Sequence, residues 1–205
     1  RTTLIQFPAA KAGGIDIPDS VTSIHSRFSI VSWGVYGHGA FAGSMRLTDV
    51  TFPDGITRIG SETFKDCSAL TTVTIPATVN FIGDTGTAGV RTPLTSGAFE
   101  NCTSLHSAIF LGDAPTTFDT NSFTNTAPDF TIYYLSTSTG FTSPTWNGYL
   151  TVMLDEATYP AAPWLVSHGL PQDTDLNQDL NNDGVPLLIA YALYLDPNEN
   201  LGQQM

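Results

Sequence analysis

Apolar residues recur in a fixed frame along the first two thirds of the chain. Leu47, Val50, Phe52, Ile56, Ile59, Phe64, Cys67 and Leu70 form one set, and Leu70, Val73, Ile75, Val79 and Ile82 open the next, with 23 residues from Val50 to Val73. Val50 and Phe52 alternate as strand residues do, and Pro53 ends that strand. Phe64, Cys67 and Leu70 fall three apart, the spacing of a tight helical turn. Each unit reads as a strand followed by a tight return. One unit cannot bury its apolar side alone, but stacked units merge those sides into a continuous core.

Further copies depart from the frame. The first runs Ile15, Ile17, Pro18, Val21, Ile24, resumes at Gly39-Ala40-Phe41, and carries Ser44 where the next two have cysteine. The third resumes at Gly97-Ala98-Phe99 and reaches Cys102 and Leu105. A degenerate fourth keeps Phe110, Phe118 and Phe123, and Ile132 and Tyr134 start a fifth strand. The I-P-x-x-V-x-x-I-G run, the F-x-x-C spacing and the leading L-x-x-V resemble the BspA-like leucine-rich repeats of bacterial surface proteins, over residues 12–135. The resemblance implies a repeat solenoid of short parallel β-strands with turns or short helical segments between them. It also implies a secreted or cell-surface setting and a role in adhesion.

Two interruptions stand out against the frame. Five residues lead from Ile59 to Phe64, whereas seventeen lead from Ile24 to Phe41 and from Ile82 to Phe99. The insertions, about 25–38 and 84–96, fall at the same point of alternate coils. In a stacked solenoid they emerge on one edge about 10 Å apart, two strand spacings. Loops of this kind on one face of a repeat protein are often its binding face. The first holds Phe28, Trp33, Tyr36 and His38, ring side chains the repeat does not require, together with Ile30; the second is Gly-rich and holds Arg91. Phe28, Trp33, Tyr36, His38 and Arg91 are the candidate ligand-binding residues. In the competing reading Phe28, Ile30, Trp33 and Tyr36 fold back and shield the first coil as a cap. Outward strand positions Asp16, Asp49, Thr51, Thr72, Thr74 and His106 form a second, polar surface.

Charge narrows the partners. All seven Lys and Arg precede residue 92, and the formal net charge of −12 belongs to the C-terminal half. A nucleic-acid ligand needs a basic patch and is not expected. No apolar run reaches the roughly 18–20 residues of a membrane helix. Cys67 and Cys102 occupy equivalent positions of adjacent coils, within the Cα separation a disulfide spans, but their inward place in the frame favours two buried free thiols. Four scattered histidines and the lack of a nucleophile elbow or phosphate loop speak against an enzyme.

Residues 1–154 thus read as solenoid and C-terminal cap, the latter from Phe141, Trp146 and Tyr149, and 155–172 as a proline-bearing linker with a helical turn near Trp164. Residues 173–205 read as an acidic loop followed by an apolar helix. Asp173, Asp175, Asn177, Asp179, Asn181 and Asp183 recur at every second position before Gly184. This resembles dockerin and thrombospondin type 3 calcium loops, with Asp173, Asp175, Asp179, Asn181 and Asp183 as candidate ligands. The twelfth loop position is Ala190 where an acid belongs, and Asp196 is a candidate substitute. The helix, Pro186 to Leu195, is apolar nearly all round, so the chain is expected to be a monomeric fragment of a longer protein. The functions that follow are an interaction module for an extracellular protein or glycan, or a spacer between domains with a calcium-stabilised tail.

Overall fold

Each of the first four repeats makes two strands, where the apolar pattern predicts one. The computed structural model describes residues 2–4, 12–24, 27–31, 34–83, 96–155, 160–183, 187–192 and 196–198, and for 2–4, 27–31, 34–38, 189 and 192 the backbone alone. Its strands are Thr2–Leu4 (β1), Gly13–Asp16 (β2), Val21–Ile24 (β3), Arg27–Val31 (β4), Gly34–His38 (β5), Leu47–Thr51 (β6), Arg58–Ile59 (β7), Thr72–Ile75 (β8), Phe81–Ile82 (β9), Ser107–Phe110 (β10), Thr117–Phe118 (β11), Thr131–Leu135 (β12), Thr145–Trp146 (β13) and Tyr149–Leu154 (β14). Two short helices follow, Ala162–Ser167 (α1) and Leu187–Ala192 (α2). The chain divides into two compact units, Arg1–Met153 and Leu154–Met205.

In the first unit, the leading strands of the coils form a front sheet in two runs, β2-β6 and β8-β10-β12-β14-β13. The second strands form a back sheet, β1-β3-β7-β9-β11. Neighbouring coils pair in parallel with unbroken register from β8 to β12, so Val73, Ala108 and Ile132 make one inward row and Ile75, Phe110 and Tyr134 the next. Ile24, Ile59, Ile82 and Phe118 align across the back sheet. The three isoleucines of that row are fully buried, each contributing about 1.5–3 kcal/mol through burial. Strand β1 joins the back sheet beside β3, an element outside the recognised repeat frame.

The returns are chains of turns rather than helices: Cys67 N–H donates to the Phe64 carbonyl and Leu70 N–H to that of Cys67, both at 3.1 Å. Phe41, Phe64, Phe99 and Phe123 stack through the core with ring centroids 4.8, 5.1 and 5.2 Å apart, close to the ~4.8 Å between paired strands. Two residues after each ring the backbone is left-handed, at Gly43, Asp66, Asn101 and Asn125. Gly, Asn and Asp tolerate that conformation best. The side chains there form a ladder, Asn125 Nδ2 to Asn101 Oδ1 at 3.0 Å and Asn101 Nδ2 to Asp66 Oδ1 at 2.8 Å. Cys67 and Cys102 are buried and free, each thiol donating to the carbonyl of the ring residue one coil back, Phe41 at 3.2 Å and Phe64 at 3.1 Å. The adjoining Cys67 thiol, with burial, pushes the Cys102 thiol far up, which keeps Cys102 protonated as a packing group.

The last coil is closed by the antiparallel pair β13-β14, turning through Asn147 and Gly148, both at positive φ. An Asn-Gly pair favours this two-residue hairpin because both central residues need φ > 0. Trp146 and Tyr149, with Phe141, pack on Phe118, Phe123, Phe110 and Tyr134.

In the second unit, Ala161, Leu165 and Leu187 form a small core with Trp164, Leu170, Leu176 and Tyr191 against it. Residues 155–172, whose prolines suggest a linker, carry α1 and supply much of this core. The Trp164 and Tyr191 rings lie 5.4 Å apart, which gives the apolar helix α2 a partner within its own unit.

Candidate binding edge

Both insertions leave from the back sheet. The first begins after β3 and the second after β9, and β7 pairs with both, through Ile59 with Ile24 and with Ile82. Two strand spacings place the stems about 10 Å apart. The intervening coil makes its return in the short segment Gly60-Ser61-Glu62-Thr63 and carries no insertion.

The first insertion is a hairpin: β4 and β5 pair in antiparallel register from Arg27 with His38 to Val31 with Gly34. Cross-strand partners share a face and successive residues alternate. Arg27, Ser29, Tyr36 and His38 therefore occupy positions on one face, and Phe28, Ile30, Val35 and Gly37 on the other. Sequence reading groups Phe28 with Tyr36 and His38; the register separates them. Trp33, in the two-residue link 32–33, and Arg91, in the segment 84–95, lie outside the described residues.

The re-entry points are tightly built. Gly39 and Gly97 precede Phe41 and Phe99 by two residues, and a Cβ on either would stand 1.8 Å from the Glu62 carbonyl oxygen or 1.9 Å from that of Asn121. Phe41 N–H donates to the Thr63 carbonyl at 2.8 Å and Phe64 N–H to that of Ala98 at 2.7 Å, so segment 62–64 is bonded to the re-entry of both insertions. Around it lies a charge cluster absent from the sequence reading. Lys65 Nζ is 2.8 Å from Ser96 Oγ, 3.5 Å from Glu100 Oε1 and 3.9 Å from Glu62 Oε1, while Glu100 Oε2 accepts from Gly97 N–H at 3.1 Å. No periodic signal marks these residues: Glu62 and Lys65 sit in the return without an insertion, Ser96 at the end of the second insertion and Glu100 just after it, and only the stacking of the coils brings them together.

On the front sheet Asp16, Asp49 and Thr51 are exposed, and Thr72 and Thr74 are half-buried. Thr72 Oγ1 meets Ser107 Oγ at 3.0 Å, and His106 Nδ1 lies 2.6 Å from Asp129 Oδ1, a hydrogen bond that lowers the Asp129 carboxyl below its usual range.

In the acidic loop, Asp183 N–H lies 3.1 Å from Asp179 Oδ1 and 3.2 Å from Asn181 Oδ1. Asn181 Nδ2 donates to Asp183 Oδ2 at 3.1 Å and to the Pro197 carbonyl at 3.0 Å. Asp179, Asn181 and Asp183 are thus brought together beside the turn that begins at Asp196. Asp175 instead accepts from Asn177 through backbone and side chain, both at 2.9 Å, and Asp173 is exposed. Among the described residues, no three His, Cys, Asp or Glu side chains gather as a metal group, and no helix is long and apolar enough to cross a membrane.

Residues 35–88 match the family model described as BspA type leucine rich repeat region (6 copies). No curated protein matches the chain at a significant level. Among solved structures, a leucine-rich repeat protein from Bacteroides ovatus is similar at 18% identity over 69% of this chain and 51% of that one, with a TM-score of 0.25. The match thus spans about half the length of that protein.

Proposed function

We propose that this BspA-type leucine-rich-repeat chain is a secreted or cell-surface interaction module that binds an extracellular protein or glycan along the edge made by its two insertions. The observation that carries the reading is that both insertions spring from one sheet, separated by a single strand. The repeats supply only scaffold: their apolar residues fill the core, and what breaks the period is left for recognition. On the hairpin, Tyr36 and His38 share a face with Arg27, a set able to stack on and hydrogen-bond a polar ligand, with Trp33 and Arg91 as further contributors. Phe28 and Ile30, on the opposite face, suit the capping role. No catalysis is part of this reading.

The test replaces residues 25–40 with the return Gly-Ser-Glu-Thr of the coil that lacks an insertion. Intact and shortened chains are then compared on an array of extracellular-matrix proteins and glycans. The shortened chain is expected to lose every specific signal; equal binding by both would exclude the insertion edge, and no specific signal from either would favour a spacer between domains.

A second reading concerns the tail. The convergence of Asp179, Asn181 and Asp183, with Asn181 bonded to the Pro197 carbonyl of the 196–198 turn, supports a calcium site with oxygen donors of the kind calcium takes, and Asp196 in that turn is the candidate to stand in for the acid missing at Ala190. Lacking a bidentate acid at that position, the site belongs to the weak class of extracellular modules, with Kd on the order of 10⁻⁴–10⁻³ M. Calcium at about 100 times Kd is expected to stabilise the second unit by about 2.7 kcal/mol, and Asp183→Ala to abolish the gain. Identical thermal unfolding of that unit in calcium and in chelator would remove calcium from the account.

A further inference from the structure

We propose that Lys65 is the positioning residue of the binding edge, pinning the end of the second insertion to the coil that separates it from the first. The inference rests on the binding-edge reading and adds to it the element that couples the two insertions. Three observations converge. Segment 62–64 is the one return held between both re-entry points: Gly39 lies against the Glu62 carbonyl, and Glu62 N–H donates to the Gly97 carbonyl at 3.2 Å. Lys65, directly after that segment, reaches Ser96, the last residue of the second insertion, at 2.8 Å. Its ammonium is held by two carboxylates, Glu62 and Glu100, of which Glu100 also accepts from Gly97 N–H.

The chemistry is specific to the arrangement. All three charged side chains are mostly buried, with relative side-chain exposures of 25%, 11% and 21% for Lys65, Glu62 and Glu100, so the pairs are screened less than surface pairs are. The ammonium has three donors, and three acceptors lie within reach of it: Ser96 Oγ, Glu100 Oε1 and Glu62 Oε1. Lys65 therefore acts on a ligand indirectly, by fixing where the second insertion rejoins the core.

Trypsin reports this directly in the intact chain, because Arg91 lies within the second insertion and Arg27 within the first. Lys65→Met and, separately, Ser96→Ala are expected to raise the rate of cleavage after Arg91 about tenfold. Cleavage after Arg27 and the midpoint of global unfolding stay near those of the unaltered protein. The double variant cleaves no faster than Lys65→Met alone, and Lys65→Arg restores the slow rate. An unchanged Arg91 rate in both single variants would overturn the proposal. So would equal acceleration at Arg27 with a lowered unfolding midpoint, which would make Lys65 a general stabiliser of the coil. Because no ligand enters the measurement, this failure is distinct from failure of the edge to bind.

Discussion

Gly97→Ala is expected to destabilise the solenoid by on the order of 3 kcal/mol, and Gly39→Ala by a similar amount. The added Cβ would stand 1.9 Å from the Asn121 carbonyl oxygen in the first case and 1.8 Å from that of Glu62 in the second. Neither obstacle is a flexible side chain. Both are backbone carbonyls of the next coil, which is itself bonded to the altered coil through Phe99 N–H to the Ser122 carbonyl and Phe41 N–H to the Thr63 carbonyl. Relief requires the coils to separate, which also opens the phenylalanine stack. The equivalent residue in the coil without an insertion is Glu62, which takes a left-handed backbone with φ of 56°, so the short return solves the same crowding by another path. Gly55→Ala is the control, since its Cβ would meet nothing within 4 Å; urea unfolding should place it within about 0.5 kcal/mol of the unaltered chain.

Phe64→Ala is expected to cost about 3–5 kcal/mol in the same measurement. The ring is fully buried, lies between Phe41 and Phe99 in parallel stacking at 4.8 and 5.1 Å, and meets the edge of Phe52 at 5.7 Å. Its loss leaves a cavity in the middle of a stack whose neighbours are held at the coil spacing by their own backbone bonds, so collapse is limited. In a solenoid, stability depends on repeats and on the interfaces between them, and Phe64 belongs to the interfaces on both sides of its coil. Phe64→Leu, which keeps most of the volume, is expected to cost well under half as much.

These residues also show what the sequence discloses. The stack, the inward strand rows and the buried thiols follow from a 23-residue frame with Phe, Cys and Leu at fixed places, because core positions must repeat when coils stack. The back sheet is less legible: Arg58–Ile59 and Phe81–Ile82 are two-residue strands, too short to show alternation, and only the V-x-x-I-G phrase marks them. Strand β1 pairs through register with β3 and carries no copy of the phrase. The left-handed ladder was available in the recurring Gly, Asp or Asn two residues after each Phe, and the closing hairpin in Asn147-Gly148. The linkage of Lys65 to Ser96 joins residues 31 apart in the chain and depends on the coil stacking itself. The hairpin register, which parts Phe28 from Tyr36 and His38, depends on where the turn falls, and aromatic content alone does not set it.

The solenoid combines a scaffold that repeats with an edge that interrupts the repeat. The measurement that tests this division most directly is binding and thermal unfolding of the chain whose residues 25–40 are replaced by Gly-Ser-Glu-Thr, side by side with the intact chain and against whichever array component the intact chain retains. Unfolding of the solenoid is expected to be preserved, because the grafted return is one the fold already uses between Ile59 and Phe64, while binding falls by at least about 1,000-fold, the loss of roughly two hot-spot side chains of about 2 kcal/mol each. Full binding by a folded, shortened chain would contradict it and move recognition to the sheet faces.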